Sequence, residues 1–364
     1  MPRQIDFEVE LTTTPTPDDE RRALLVDPGF GRLHTDHMVT AHWSADKGWY
    51  DGRLHPYGPF VLDPSTNFMH YGQSIFEGMK AYKLEDGTVT LFRPRENAAR
   101  FNLSAQRLAL PTIDEDDFLA AVELLVRTDH EWIPTTEGAS LYLRPFMMGT
   151  EVGLGVRPSA DALFSVLALP SGNYFSGGVR PLKLWLAEDS SRAAPGGTGE
   201  AKCAGNYAAS LVAQQAAIAR GCDQVVFLDA VERRWVEELG GMNLFFVYAD
   251  GRIATPALSG TILRGVTRNS IITLARDAGH EVEERRVAVD EWREGVASGE
   301  ITEVFACGTA AVVTPVGELH WTGGSVATKA AGLEGVTASL RQRLLDIQYG
   351  RAEDPYGWRV PVAL

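Results

Sequence analysis

Ser190-Ser191-Arg192-Ala193-Ala194-Pro195-Gly196-Gly197-Thr198-Gly199 runs straight into Glu200-Ala201-Lys202-Cys203-Ala204-Gly205-Asn206-Tyr207, and this junction decides how the fold is read. One proline and three glycines among small side chains predict a mobile connection between domains, without helix or strand. The Ala- and Gln-rich stretch that follows predicts a helix from about Asn206 to Arg220. At roughly 150 residues per domain, a chain of 364 residues is expected to hold two. The boundaries read as residues 1–188 for a smaller N-terminal α/β domain, 189–200 for the connection and 201–364 for a larger C-terminal domain.

Outward from the junction, both halves mix strand and helix patterns. Before it, Met38–Trp43, Thr88–Phe92, Leu141–Pro145 and Ala162–Leu167 read as strands, with Asp86-Gly87 as a hairpin turn. Glu96–Leu108 reads as a helix, and Phe118, Ala121, Val122, Leu125 and Val126 mark a second. The polar residues 1–25 read as an arm rather than core. After the junction, Gln224–Leu228, Leu244–Tyr248, Glu303–Cys307 and Ala310–Thr314 read as strands, and Asp250-Gly251 as another hairpin turn. Helices are expected between Gly265 and Gly279 and over 334–347. The fold class is therefore α/β and α+β in two domains, with a cleft between them as the expected ligand site.

Composition narrows the function. A net charge of −14 gives no electrostatic footprint for nucleic acid or an anionic membrane. An anionic ligand must then be held by locally placed Arg, Lys or backbone N–H groups. No stretch approaches the roughly 20 apolar residues of a membrane span, and the first residues lack the pattern of a secretory signal. Cys203, Cys222 and Cys307 are too scattered for a disulfide framework or a Cys-x-x-Cys pair. His34, His37 and His42 show no metal-site pattern and read as structural. The expectation is a cytoplasmic enzyme.

Four segments can carry chemistry. Lys202 stands between the flexible connection and a helix, with small neighbours that leave room for a flat ligand; a lysine becomes a nucleophile when desolvation or nearby cations lower its pKa. Glu237 and Glu238 lead into Gly240-Gly241 and an apolar strand, and alternation lets one of the two carboxylates face a given site. Gly260–Thr267 leads into a helix N-terminus, and Ala306–Ala310 offers small residues and a hydroxyl; both can cradle an anion, though neither is a P-loop. Arg100, the His70–Gly78 run, and Tyr142 with Arg144 on one strand face supply cations and aromatics. Each segment alone is also what a solvated lysine, a wet strand end or an ordinary turn looks like.

Taken in order, Lys202-x-x-Gly205-Asn206-Tyr207, the Glu238-to-Asn243 run and Gly308-Thr309-Ala310 resemble the branched-chain-amino-acid aminotransferases, pyridoxal-phosphate enzymes of fold type IV. The resemblance spans nearly the whole chain, from Leu33–Met38 through Phe76–Lys80 to Ile347–Gly350. It implies that Lys202 forms the covalent link to the aldehyde of pyridoxal 5′-phosphate and later shuttles a proton. It implies that Glu238 keeps the pyridine nitrogen protonated and that Tyr207 hydrogen-bonds the phenolic oxygen. Arg100, Arg192, Gly265, Val266, Thr267, Gly308 and Thr309 would surround the phosphate, and Leu263 would pack on the ring. Tyr71, Phe76, Tyr142 and Tyr174 would shape an apolar pocket for leucine, isoleucine or valine. Thr309 and Ala310 would hold the α-carboxylate, and Arg144 the second carboxylate of glutamate. The resemblance also implies a homodimer.

Two positions depart from patterns found in that family. Ala311-Val312-Val313-Thr314 lacks the redox Cys-x-x-Cys pair of some members, and Gly241 stands where others have Thr. The expected reaction is a reversible ping-pong transfer of the amino group between branched-chain amino acids and 2-oxoglutarate. D-Amino-acid transamination and aminodeoxychorismate cleavage are alternatives on the same fold, and a non-catalytic binder is an alternative of another class.

Overall fold

The computed structural model describes residues 5–172, 179–329 and 334–364, which divide into two compact units. The first comprises Met1–Ser176, Ala201–Ala204 and Ile347–Leu364; the second comprises Gly177–Glu200 and Gly205–Asp346.

The first unit contains β1 (Phe7–Val9), α1 (Asp18–Leu24), β2 (His37–Ser44), β3 (Gly48–Pro56), α2 (Asn67–Tyr71), β4 (Ser74–Phe76), β5 (Met79–Lys83), β6 (Val89–Phe92), α3 (Pro94–Arg107), α4 (Glu115–Thr128), β7 (Ser140–Gly149) and β8 (Asp161–Ser171). The second contains β9 (Leu182–Ala187), α5 (Ala204–Ala219), β10 (Gln224–Leu228), β11 (Val236–Leu239), β12 (Asn243–Tyr248), β13 (Ile253–Pro256), α6 (Val266–Asp277), β14 (Val282–Arg285), α7 (Val289–Ser298), β15 (Ile301–Gly308), β16 (Val312–Trp321), β17 (Gly324–Ala327) and nearly all of α8 (Val336–Gln348). The last strand, β18 (Arg359–Val362), returns to the first unit and pairs with β6.

In the first unit the strands are ordered β1-β3-β2-β8-β7-β5-β6-β18, with β4 added on β7. Helices α3 and α4 supply its apolar core. Phe101 and Phe118 meet Phe164 of β8 with ring centroids 5.6 and 5.8 Å apart, and each ring is fully buried. Burial of such a side chain contributes about 1.5–3 kcal/mol. Helix α3 opens on Pro94, whose fixed φ suits a first turn. Helix α4 is capped by the Asp114 carboxylate, which accepts the Asp116 N–H at 2.9 Å.

In the second unit the order is β11-β10-β9-β16-β15-β12-β13-β14, with β17 on β16. An additional pairing of β11 with β12 closes the run from β11 to β12 into a ring. That closure sets Glu238 opposite Asn243.

Several expectations need correction. Of the arm expected over 1–25, the described residues 5–25 are not loose: β1 pairs in parallel with β3, and Ile5 is buried in the core. Their side chains are mostly exposed, on both faces of β1, while the backbone supplies the sheet hydrogen bonds. The 190–199 segment lies wholly within the second unit, and its Arg192 is buried. Residues 201–204 and 347–364 join the first unit rather than the C-terminal one, because Cys203 bridges Ile75 and β18 pairs with β6. Residues 309–311 form a turn, so the strand expected at Ala310 begins at Val312 and runs on to Trp321. His37 is structural in detail: its Nδ1 lies 2.7 Å from Asp129, and its Nε2 accepts the Thr12 N–H at 3.0 Å.

Candidate active site

In the first unit, Lys202 is placed by its backbone. Its N–H donates to Ser104 Oγ at 2.9 Å, and its carbonyl accepts the Phe76 N–H at 3.0 Å. The side chain is half-buried, with Nζ 4.8 Å from the centroid of the Phe76 ring. The Arg144 guanidinium also stands 4.8 Å from that ring and 5.3 Å from the Tyr142 ring. Its Nη2 donates to the Tyr142 hydroxyl at 3.2 Å. Alternation along β7 puts Tyr142 and Arg144 on one face, as expected. Arg144 Nε is buried without a hydrogen-bond acceptor. Gly78 is required here, since a Cβ would lie 2.0 Å from the Tyr142 hydroxyl oxygen.

Beside Phe76, the Glu77 carboxylate is fully buried. It accepts Nε and Nη2 of Arg100 at 2.7 and 2.9 Å, Asn97 Nδ2 at 2.8 Å and the Gly78 N–H at 3.0 Å. Asn97 and Arg100 are three apart on α3 and therefore share a face. Burial pushes the Glu77 carboxyl up, but the Arg100 guanidinium and then the Lys202 ammonium outweigh it and hold the group below the usual carboxylate range. Sequence reasoning missed Glu77 and Asn97. The available signal was an acid beside Phe76 and an Asn-x-x-Arg spacing on the next helix. Tyr71 is exposed and turns its hydroxyl to the Leu154 carbonyl. Tyr174 lies outside the described residues.

In the second unit, Glu238 is buried on β11 and gathers donors from three segments. Oε1 accepts the Leu263 N–H at 2.9 Å and lies 2.5 Å from Arg192 Nη2; Oε2 accepts Asn243 Nδ2 at 3.2 Å. Asn243, also missed, reaches the Leu263 carbonyl at 3.1 Å, so it ties β12 to the 261–265 loop. Its Oδ1 comes so close to Gly265 that a Cβ there would stand 2.1 Å away. Arg192 Nη2 further donates to the carbonyls of Gly199 and Thr261 at 2.8 and 2.5 Å, and its Nε is buried without an acceptor. Glu237, on the other face of β11, instead accepts the Thr261 hydroxyl. Burial pushes its carboxyl above the usual range, against the Thr261 hydrogen bond.

The second unit also carries Tyr207, Gly265, Val266, Thr267, Gly308, Thr309 and Ala310. Tyr207 is half-buried in the first turns of α5, and a Cβ on Gly241 would touch its ring at 3.7 Å. Gly308 faces Met242 and the Gly241 carbonyl, where a Cβ would stand 3.4 and 3.5 Å away. Gly265 is the N-cap of α6, with Val266 and Thr267 in its first turn, no acid in that turn and no side-chain cap. The first N–H groups of a helix have no intrahelical acceptor, so this terminus suits an anion. Thr309 and Ala310 occupy the turn between β15 and β16.

The model of the family Amino-transferase class IV matches residues 74–319, a span that includes Lys202, Glu238 and both anion cradles. The chain belongs to the class IV aminotransferases. A probable branched-chain-amino-acid aminotransferase of Streptomyces coelicolor is 55% identical, covering 97% of each chain. A branched-chain-amino-acid aminotransferase of Mycolicibacterium smegmatis is 52% identical, again over 97% of each. Among solved structures, the branched-chain amino acid aminotransferase of Escherichia coli is similar with a TM-score of 0.74 and 28% identity, over 89% of this chain and 100% of that one. The T.th. branched-chain amino acid aminotransferase with pyridoxamine 5′-phosphate gives a TM-score of 0.75 and 30% identity, over 89% and 99%. The two-unit α/β architecture is thus that of a fold-type IV aminotransferase.

Proposed function

We propose that this class IV aminotransferase transfers the amino group between L-leucine, L-isoleucine or L-valine and 2-oxoglutarate, using pyridoxal 5′-phosphate. One observation carries the substrate reading: Arg144 is set among Phe76 and Tyr142 with its Nε buried and lacking an acceptor. Aromatic surface suits an aliphatic side chain, and one buried cationic donor suits the second carboxylate of glutamate. A missing methylene in such a pocket is worth only about 1–3 kcal/mol, so all three branched substrates are accepted. The relatives' names support the branched-chain assignment. Structures of the T.th. enzyme complexed with N-(5′-phosphopyridoxyl)-L-glutamate and with 4-methylvaleric acid support both halves of the specificity.

The residues fit the cofactor. Lys202 offers a half-buried amine, Glu238 a buried carboxylate held by donors, and α6 an uncapped N-terminus; Arg192 Nε is a buried donor without an acceptor. When bound, the cofactor supplies an aldehyde for the amine and an aromatic ring that takes up the electron pair of Cα. Lys202 Nζ would hold the aldehyde carbon and would carry the proton to and from substrate Cα. Glu238 would accept the pyridine N–H and keep that nitrogen protonated. Tyr207 would donate to the phenolic oxygen, and Leu263 would pack on the ring. Arg100, Arg192 and the N–H groups of Val266, Thr267 and Thr309 would hold the phosphate, while the lack of a side chain at Gly265 makes room for Asn243. Thr309 and Ala310 hold the α-carboxylate, while Tyr71 and Tyr174 complete the substrate walls. A homodimer and a cytoplasmic setting belong to the same proposal, on the family resemblance.

The test is a panel of single half-reactions. Purified protein should show a cofactor absorbance that borohydride fixes covalently, and L-leucine and L-glutamate should each discharge it. Lys202→Ala should abolish both half-reactions. Turnover of D-alanine in place of the L-substrates, or full turnover by Lys202→Ala, defeats the proposal.

A further inference from the structure

Glu237 has no part in the chemistry above, yet it is only 4% exposed and lines a cavity of about 320 Å³ in the second unit. That volume suits a ligand of metabolite size. Pro195, Val231, Val236, Pro256, Ala257 and Ile262 make much of the wall apolar. Two lining residues carry buried polar atoms with no hydrogen-bond partner, Glu237 Oε2 and Trp235 Nε1. They stand two apart along an extended segment, so both side chains fall on one side of it, and Glu238 falls on the other. The cavity therefore lies apart from the Glu238 site. The exposed Arg286 also lines it, with its guanidinium 5.5 Å from the centroid of the Trp235 ring.

We propose that this cavity binds a small aliphatic amino acid as its zwitterion: the ammonium on Glu237 Oε2, the carboxylate on Trp235 Nε1 and the Arg286 guanidinium, and the hydrocarbon against the apolar wall.

The two ends of the ligand are selected separately. Glu237 Oε1 already accepts the Thr261 hydroxyl, so Oε2 is the oxygen left for a donor in the cavity. Asp229 lines the cavity too, but its oxygens accept the N–H groups of Val231, Glu232, Arg234 and Trp235. Burial pushes the Glu237 carboxyl up, and an ammonium at Oε2 would draw it back down. An indole N–H only donates, so Trp235 calls for an acceptor, which a simple amine lacks. Arg286 places positive charge beside that same indole. A carboxylic acid without an ammonium group would instead meet Asp229, Glu232 and Glu237 with one guanidinium to balance them.

L-Proline is the probe, because its secondary amine is not exchanged by amino transfer. Pyrrolidine keeps its ammonium without the carboxylate, and cyclopentanecarboxylate keeps its carboxylate without the nitrogen. Dissociation constants are read by ligand-observed NMR titration of the purified protein. The parent should bind L-proline with a Kd of roughly 1 mM or below, and cyclopentanecarboxylate roughly tenfold more weakly. Glu237→Gln should weaken L-proline and pyrrolidine alike, roughly tenfold, as expected for loss of a hydrogen bond to a charged group. Trp235→Phe keeps an aromatic ring and removes the N–H; it should weaken L-proline roughly fivefold and pyrrolidine less than about twofold. Ala257→Leu fills the cavity, leaves both polar atoms in place and should abolish binding of both ligands. Absence of L-proline binding by the parent overturns the proposal. So does binding that persists unchanged in Glu237→Gln and Ala257→Leu, since the ligand then sits elsewhere, and so does equal weakening of L-proline and pyrrolidine by Trp235→Phe. Should Glu237→Gln fail to fold, Ala257→Leu and Trp235→Phe decide by the same criteria.

Discussion

Gly265→Ala is the sharpest perturbation of the Glu238 site. Gly265 has an ordinary backbone, with φ −64° and ψ 128°, so conformational freedom does not require glycine there. Space does: the new Cβ would stand 2.1 Å from Asn243 Oδ1, closer than non-bonded atoms tolerate. Asn243 must swing away, losing its bonds to Glu238 at 3.2 Å and to the Leu263 carbonyl at 3.1 Å. The first is to a charged group and is worth roughly 1.5–3 kcal/mol, the second roughly 0.5–1.5 kcal/mol. Overpacking adds about 1–3 kcal/mol. Asn243→Ala alone loses the two bonds, roughly 2–4 kcal/mol. In the double variant the clashing oxygen is gone, so its cost should be close to that of Asn243→Ala. The coupling between the two sites then equals the cost of Gly265→Ala, about 3 kcal/mol or more, well above the roughly 0.5 kcal/mol scatter of independent sites. Urea unfolding of the cofactor-free proteins measures it, with affinity for pyridoxal 5′-phosphate as a second readout. Additive costs, or a Gly265→Ala variant within about 0.5 kcal/mol of the parent, would refute the steric argument.

Two further outcomes follow from the same geometry. Arg144→Met should slow the glutamate half-reaction roughly 10- to 100-fold in kcat/KM, the loss expected for removing a charge-assisted contact, while the leucine half-reaction changes by less than about threefold; parallel loss of both would remove Arg144 from substrate recognition. Glu237 has a carboxyl pushed up by burial, so it favours the fold below the ordinary carboxylate range and loses that contribution as pH rises through its raised value. Glu237→Gln removes that loss, and its Tm relative to the parent should rise between about pH 4 and pH 8; a constant difference would contradict the buried, unpaired Oε2.

Much of the fold was legible because it is written in local periodicity. The strand expected at Gln224–Leu228 is β10 residue for residue, and the helix expected at Glu96–Leu108 is α3 with its start moved to Pro94. The hairpin turns at Asp86-Gly87 and Asp250-Gly251 hold, with Gly87 and Gly251 at φ 86° and 88°. Such features depend on residues a few positions apart. The strands β3, β14 and β18 were not anticipated, since their mixed burial patterns are defined by partners elsewhere, and β13, wholly buried, is only four residues long. The polar pattern of the N-terminal residues concealed the pairing of β1 with β3 for the same reason.

The sequence by itself singled out the candidate residues: Lys202 before a helix, Glu238 before a Gly-Gly turn, and two small-residue cradles in a fixed order. Their environment was decided by tertiary structure alone. Glu238 takes its donors from Arg192, Asn243 and Leu263, and Lys202 is seated by Phe76 and Ser104 from segments far away along the chain. Alternation and helical repeat report which side of its own element a residue faces. They carry no information about which distant backbone or side chain closes over that side, and it is those neighbours that bury Glu77, seat Lys202 and leave Gly265 no room for a methyl group.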